Sequence, residues 1–473
     1  FGITVYDMLS RLGAYGGAMP RPKTLSAKIV KGIAPGIKSD ALVGAVRFHD
    51  AQIDDARHTV AVARTAAAHG AAIATRTAVV RLISEDGRVV GAVIRDELSG
   101  REFDVRARVV LGAAGVWTDD LLEMAGAASQ HAVRQSKGIH LVVPREAFPS
   151  TSALIARTPT SVLFLLPWGR HWLIGTTDTD YSGPRSEPQV DEADVEYLLA
   201  EANKWLAKPL TRDDVVGVYS GLRPLLSAGT QEDGTATLSR EHAVLRPAPG
   251  LVLIAGGKYT TYRVMAADAV DAAVTSRAEV VTDSVPPSKT DELPLVGAAG
   301  YAAAWATRER TAREAGLSLA AVEHLLRRHG DRARTVLDLI ASDPKLAEPM
   351  HPDSPYLLAE GVVAVTREGA LGLDDVLVRR TRLALETRGG GVDVAESVAR
   401  VLAPYANWDE ADIAEQVAVV ALRRDALQPV PGGQVDQQVV AVDDSELPTD
   451  SVEAALLEEV EFATGLPVEG PSA

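Results

Sequence analysis

The residues best suited to chemistry are cationic or proton-handling side chains set among glycines and apolar residues. In "LIAGGKYTTYRVMAADAVDAA" (253–273), Gly256 and Gly257 end an apolar run and are followed by Lys258, Thr260, Thr261 and Arg263. A strand, a tight turn and a helix N-terminus fit that order. The unpaired N–H groups of such a helix end, with the charge of Lys258 beside them, suit a bound anion or a negative charge that develops during a reaction. "RQSKGIHLVVP" puts His140 at the start of an apolar strand, and "VVGVYSGLRPLL" puts Arg223 in a loop after a strand. A guanidinium between apolar residues has to find an anion or water. His140, Arg223, Lys258 and Arg263 together suit a pocket for a small phosphate or carboxylate. The plainer readings are a structural histidine and, for Arg223, a carboxylate partner.

Two further stretches bear on binding. "RVVLGAAGVWTDDLLEMAG" (108–126) reads as a buried strand ending in small residues, then a helix. Gly112 and Gly115 let a backbone approach a ligand, although tight strand–helix packing alone would also account for them. "LFLLPWGRHWLIGTTDTDY" reads as a β-hairpin with polar residues, Thr176, Thr177 and Asp178, at one end.

The elements that must position these residues follow from periodicity and turn signals. A helix is predicted over 54–75, with Asp54 and Asp55 at its start and Gly70 at its stop. Strands follow up to 112, with hairpin turns at Asp86-Gly87 and Ser99-Gly100. Strand-like runs recur at 139–144, 162–167 and 171–176, and helical patterns at 193–206 and 258–276. Residues 1–45 read as helix and then loop, with Pro20, Pro22 and Pro35 as breakers.

The chain has 473 residues, 46% hydrophobic and 24% charged, enough for two or three soluble domains. A net charge of −16 argues against a nucleic-acid partner, which needs a basic footprint. With no cysteine, disulfides, thiolate metal sites and cysteine nucleophiles are excluded, and no metal site is expected. No apolar run has the length of a membrane span. The expected division is a cofactor and substrate region over 1–275, a polar, proline-containing linker at 276–296, an all-α domain over 297–425 and a mostly disordered acidic tail at 426–473. Charged residues of the helical domain, including Glu360, Glu368, Asp374, Arg379 and Arg380, read as solvated faces and intrahelical ion pairs. The opening "FGITVYDMLSRLGAYGG" lacks an initiator methionine and reads as the middle of a helix, so the chain is expected to begin inside a larger protein.

In order along the chain, "DAQIDDARHTVAVARTAAAHGA", "AAGVWTDDL", "SKGIHLVVP", "PWGRHWLIGTTDTDY", "LTRDDVVGVYSGLRPLL" and "LIAGGKYTTYRVMA" resemble FAD-dependent glycerol-3-phosphate dehydrogenases, within the D-amino-acid-oxidase-like flavoprotein superfamily. "YLLAEGVVAVTREGALGLDDVLVRRTRLAL" resembles the family's C-terminal domain, and the likeness spans about 1–425. It implies an α/β (α+β) FAD-dependent oxidoreductase fold with an antiparallel-sheet substrate region and a C-terminal all-α domain. Two departures stand out. The family's N-terminal strand–GxGxxG–helix unit, which holds the FAD pyrophosphate, is absent. Gly112 stands where the family commonly has asparagine, which puts one hydrogen bond near the flavin in doubt.

The resemblance also implies roles. Gly256, Gly257, Lys258 and Thr261 would face the pyrimidine end of the flavin, Gly115 and Trp117 would lie along it, and the backbone of Val79 and Val80 would meet the adenine. Glycerol 3-phosphate would be held by Arg223, with Lys258, Thr260 or Arg263 beside it. Its C2 hydride would pass to flavin N5, and His140 would take the hydroxyl proton, since an imidazole titrates near working pH. Lys258 is the competing base. Electrons would go on to a quinone, with the protein in the cytoplasm or on the inner face of the cell membrane, and a homodimer is compatible with this. The alternatives are an oxidase passing electrons to oxygen, a related flavin enzyme acting on an amino acid or hydroxy acid, and a non-catalytic chain that does not hold FAD. Weak or absent FAD binding is expected of the chain as it stands.

Overall fold

The computed structural model describes residues 20–40, 42–127, 133–158, 162–226, 241–278 and 285–427. The expectations for the opening helix and for the acidic tail beyond 427 lie outside them. Residues 20–47 correct one reading. Where helix then loop was expected, the chain forms strand β1 (Lys23–Ser26), helix α1 (Ala27–Ile33) and strand β2 (Gly44–Arg47), with β1 antiparallel to β2. Each strand exists because a segment some twenty residues away pairs with it, which no local pattern announces.

Helix α2 (Asp55–Ala68) starts where its sequence signals put it. The Asp54 carboxylate accepts the Arg57 N–H at 3.1 Å, and Gly70 leaves the helix at φ +91°. Strands β3 (Thr77–Glu85), β4 (Arg88–Asp96) and β5 (Glu102–Arg106) form an antiparallel sheet through both expected turns. Asp86 and Gly87 adopt φ +48° and +76°, as a two-residue hairpin of this kind requires.

Strand β6 (Val110–Gly112) leads through a short 3₁₀ turn, Gly115–Trp117, into α3 (Thr118–Met124). The 12-residue strand β7 (Val133–Pro144) organises the next sheet, with β8 (Leu154–Arg157), β9 (Val162–Trp168), β10 (His171–Gly175), β11 (Thr179–Asp180) and, after helix α4 (Glu192–Asn203), β12 (Gly217–Leu226). Residues of β7 alternate between two faces. Ile139, Leu141 and Val143 pack with Trp172, Ile174 and Val218 against Leu198 and Ala202 of α4. The other face is the polar one described below.

Strands β13 (His242–Ala248) and β14 (Leu251–Gly256) are antiparallel, while β14 runs parallel to β6, and α5 (Tyr262–Ala278) follows β14. The parallel pairing sets the β6–α3 and β14–α5 turns side by side at the carboxyl ends of the two strands. From 301 the chain is helical as expected: α6 (Tyr301–Ala306), α7 (Arg308–Ala315), α8 (Leu319–His329), α9 (Ala333–Ser342), α10 (Leu358–Arg367), a π-helical turn Asp375–Arg380, α11 (Leu383–Glu386), α12 (Val392–Ala406) and α13 (Glu410–Leu427). They enclose their own apolar core around Leu325, Val336, Val362, Leu377 and Leu402. Among the described residues no helix is long and apolar enough to cross a membrane.

Candidate active site

The sheet register builds the site. Directly paired residues of neighbouring strands share a face, and β12 pairs with β7 so that Tyr219 lies opposite His140, Gly221 opposite Gly138 and Arg223 opposite Ser136. Gly175 of β10 lies opposite His140 on the other side. The polar face therefore carries an imidazole, a phenol and a guanidinium around three glycines. The His140 ring stacks on Tyr219, with centroids 5.0 Å apart and planes 9° from parallel.

The glycines at 138 and 175 are needed for close approach. A Cβ on Gly175 would fall 2.3 Å from the His140 ring, and one on Gly138 would fall 2.4 Å from the Arg223 guanidinium. Arg223 thus lies flat on the strand, donating to the Thr177 carbonyl at 3.2 Å and the Thr176 hydroxyl at 3.1 Å, with Asp178 at 3.8 Å. Ser136 in turn donates to Asp178. Above Gly221 there is open space, since a Cβ there would meet nothing within 4 Å.

Two sequence readings change here. Arg223 is not in a loop. Gly221 and Pro224 suggest one, but β12 runs unbroken through both. Proline is tolerated because, among the described residues, β12 pairs with β7 alone in this sheet, so the strand has an edge that needs no N–H at that position. His140 is in mid-strand, and burial, followed by the positive charge of Arg223, pulls its pKa down from 6.5 to about 4. The imidazole stays neutral at physiological pH instead of titrating there.

The second group of expected residues sits at the two adjacent turns. Gly256 and Gly257 have φ +72° and +87°, and Gly115 has φ +56° with open space where a Cβ would stand. Lys258, Thr260, Thr261 and Arg263 are exposed, and Thr261 donates back to the Lys258 carbonyl at 2.9 Å. Trp117 is 43% exposed, with Arg185 over its ring at 5.9 Å. A Cβ on Gly112 would press on the ends of the Leu253 and Leu121 side chains at 2.5 and 2.6 Å, so a larger residue there requires both to shift. Val79 and Val80 lie on the separate β3–β4–β5 sheet. Val79 pairs with Ile94, and the register slips before Arg81, so Val80 is the extra residue of a β-bulge.

Sequence reasoning missed the latch that holds the second group. The Tyr259 hydroxyl bonds to His58 Nδ1 at 2.7 Å and to the Thr59 hydroxyl at 3.0 Å, tying the β14–α5 turn to α2. Tyr262 packs edge-on against His58 at 4.7 Å. It also passed over Tyr219, although period-two alternation from Arg223 would have put both on one face.

A flat, partly open floor with fixed hydrogen-bond donors beside two left-handed glycine turns fits a planar cofactor with polar edges and an anionic substrate. Comparison with known proteins gives the class. Residues 5–266 match the model of the FAD dependent oxidoreductase family, and residues 288–413 match the C-terminal domain of alpha-glycerophosphate oxidase. The chain belongs to the FAD-dependent oxidoreductase family, and its cofactor is FAD. A relative from Mycobacterium tuberculosis called glycerol-3-phosphate dehydrogenase 2 is 46% identical over 427 residues, covering 90% of this chain and 71% of the relative. The human mitochondrial glycerol-3-phosphate dehydrogenase is 32% identical over 88% of this chain and 57% of its own length. The crystal structure of glycerol-3-phosphate dehydrogenase from Bacillus halodurans, complexed with FAD, superposes with a TM-score of 0.73 at 28% identity, covering 87% of this chain and 81% of that one.

Proposed function

We propose that this chain oxidises sn-glycerol 3-phosphate to dihydroxyacetone phosphate. The observation that carries the reading is Arg223, laid on Gly138 next to a neutral His140 on one open sheet face. A rigid guanidinium fork pairs well with phosphate oxygens, and its support by Thr176 and Thr177 fixes the fork before the substrate arrives. Open space over Gly221 gives the three-carbon body a place on the floor between Tyr219 and Arg223. The imidazole is unprotonated above a pH of about 4 and offers a lone pair to the C2 hydroxyl proton, as a weaker base than a free histidine, and stacking on Tyr219 holds the ring in plane. Lys258 remains the competing base.

When bound, FAD supplies the acceptor, at N5, for the hydride that leaves C2. Gly256, Gly257, Lys258 and Thr261 would hold its pyrimidine end, where the start of α5 favours negative charge. Gly115 and Trp117 would lie along the ring system, and the bulged backbone at Val79 and Val80 would meet the adenine. Thr260 and Arg263 stand on the exposed rim of the same turn, where they would help to draw in the anionic substrate. The final acceptor in this reading is a quinone, reached from the inner face of the cell membrane.

The test is anaerobic addition of glycerol 3-phosphate to the FAD-loaded protein, followed by flavin absorbance. Rapid bleaching supports the reading. A yellow protein bleached instead by an amino acid or hydroxy acid overturns the substrate, and a colourless protein that cannot be loaded favours the form that does not hold FAD. In air, release of hydrogen peroxide at the turnover rate would replace the quinone by oxygen.

A further inference from the structure

We propose that the cavity between α2, residues 295–298 and the turn after α8 is a binding site for a small phosphate-class oxyanion. The cavity holds about 300 Å³ and shares no residue with the sheet face or the glycine turns. Its wall carries the guanidinium groups of Arg57, Arg64, Arg327, Arg328 and Arg332 beside His329, and among the described residues no aspartate or glutamate lines it. In a chain of net charge −16, a cavity lined by five arginines and, among the described residues, by no acid runs against the average.

The carboxylates that offset this charge stand behind the wall and are already engaged. Glu368, its side chain 1% exposed, accepts from two Arg57 nitrogens, one of them at 2.7 Å. Asp54 and Glu360 each lie 3.4 Å from Arg328, and Glu323 accepts from Arg327 at 3.2 Å. Arg64 and Arg332 are less well served. Arg64 is 3.6 Å from Glu368, and Arg332 is 3.5 Å from Asp331, both longer than a good charge-assisted hydrogen bond. Arg64 is disfavoured as a cation first by burial, against the pull of Glu368, and then by repulsion from Arg57, Arg332 and Arg367. An oxyanion seated among these groups relieves that repulsion.

The wall is also preorganised. The backbones of Gly297 and Gly330 cross so closely that a Cβ on Gly330 would fall 1.9 Å from the Gly297 oxygen. The Asp331 N–H donates to that oxygen at 2.9 Å, and the Val296 N–H donates to the Thr65 hydroxyl at 2.9 Å. Guanidinium groups reach the cavity from α2 and from both sides of the α8 turn. A tetrahedral oxyanion presents oxygens in several directions, whereas a carboxylate presents only two in one plane, so phosphate chemistry fits better.

The test uses the full-length, FAD-loaded protein carrying Arg223→Ala, so that the sheet face does not contribute. Inorganic phosphate is titrated by calorimetry against chloride at matched ionic strength. One phosphate per chain is expected, with affinity at least about tenfold weaker after Arg64→Ala plus Arg332→Ala. Arg334→Ala, on a side chain 80% exposed elsewhere in the helical region, is expected to change nothing. If the double variant does not fold, Arg332→Glu, at a side chain 58% exposed, is expected to give the same loss. Competition by glycerol 3-phosphate would identify a phosphomonoester as occupant, and binding of inorganic phosphate alone would identify the free ion. Equal phosphate affinity with and without these arginines, or no binding at roughly 10 mM, overturns the proposal.

Discussion

At the junction between α2 and the helical region, the buried carboxylates are each paired with arginine or histidine. Glu368 takes Arg57, His329 Nε2 lies 3.1 Å from Glu360, and Arg382 donates to Asp54 at 2.9 Å. Burial opposes the charge on Glu368, but His329 and Arg57 outweigh it and hold its carboxyl below the usual range. On the polar face of β7 and β12 the rule is different. Arg223 rests on a glycine and leans on a carbonyl and a hydroxyl, with Asp178 at 3.8 Å. The first arrangement loses stability if any member is removed. The second leaves an open floor beside a fixed cation. Buried charge alone therefore does not mark a site in this chain. What differs between the two regions is how the partners are arranged.

The largest expected effect breaks the matched side. Glu368→Ala leaves Arg57, its side chain 11% exposed, without its carboxylate and is expected to cost about 3–5 kcal/mol in urea or thermal unfolding. Unchanged stability would mean that the junction does not depend on the pairing. Next, Arg223→Ala is expected to raise KM for glycerol 3-phosphate about 100-fold while leaving stability nearly unchanged. An unchanged KM would remove its phosphate role.

The third test uses pH. The folded pKa of His140 is depressed, so the unfolded chain binds the extra proton as pH falls from 6.5 to about 4. Stability is expected to drop across that window by up to about 1.4 kcal/mol per pH unit, and His140→Gln should flatten the drop. The paired carboxylates of the junction act at lower pH, which separates the two regions. The smallest effect sharpens the open side. Gly221→Val adds a side chain where there is room and no contact, so the unfolding midpoint should stay while KM rises about tenfold. A loss of stability instead would mean that the space over Gly221 is not a ligand's.

Much of the fold was legible, because turns and caps are local. Asp54 at a helix start, Asp86-Gly87 in a hairpin and Gly256-Gly257 before a helix each carry their signal within a few residues. What was not legible depends on distant partners. Arg57 and Glu368 are 311 residues apart, so Glu368 and Glu360 looked like solvated helix charges but are buried members of a network joining two regions. Asp374, also expected to be solvated, is buried between Arg379 and Arg423. Of the charges first read that way, Arg379 keeps its intrahelical partner Asp375, while Arg380 turns to the backbone carbonyls of Glu368 and Gly369. Arg223 reads locally as a loop residue, because Gly221 and Pro224 speak against a strand that its register with β7 stabilises. The titration of His140 was misjudged for a similar reason, since its environment is made by Tyr219, Gly175 and Arg223 from other strands.

Helix α2 has no buried residue along its fourteen positions and is held by a few polar anchors. Arg57 reaches Glu368, Asp54 reaches Arg382, and His58 and Thr59 grip Tyr259. The apolar side chains of the helix, Val60 and Val62 among them, are only half-buried, so these anchors carry much of its attachment. Its amide protons should exchange with solvent through one detachment of the whole bar rather than by fraying turn by turn, and cutting a single anchor should quicken all of them together.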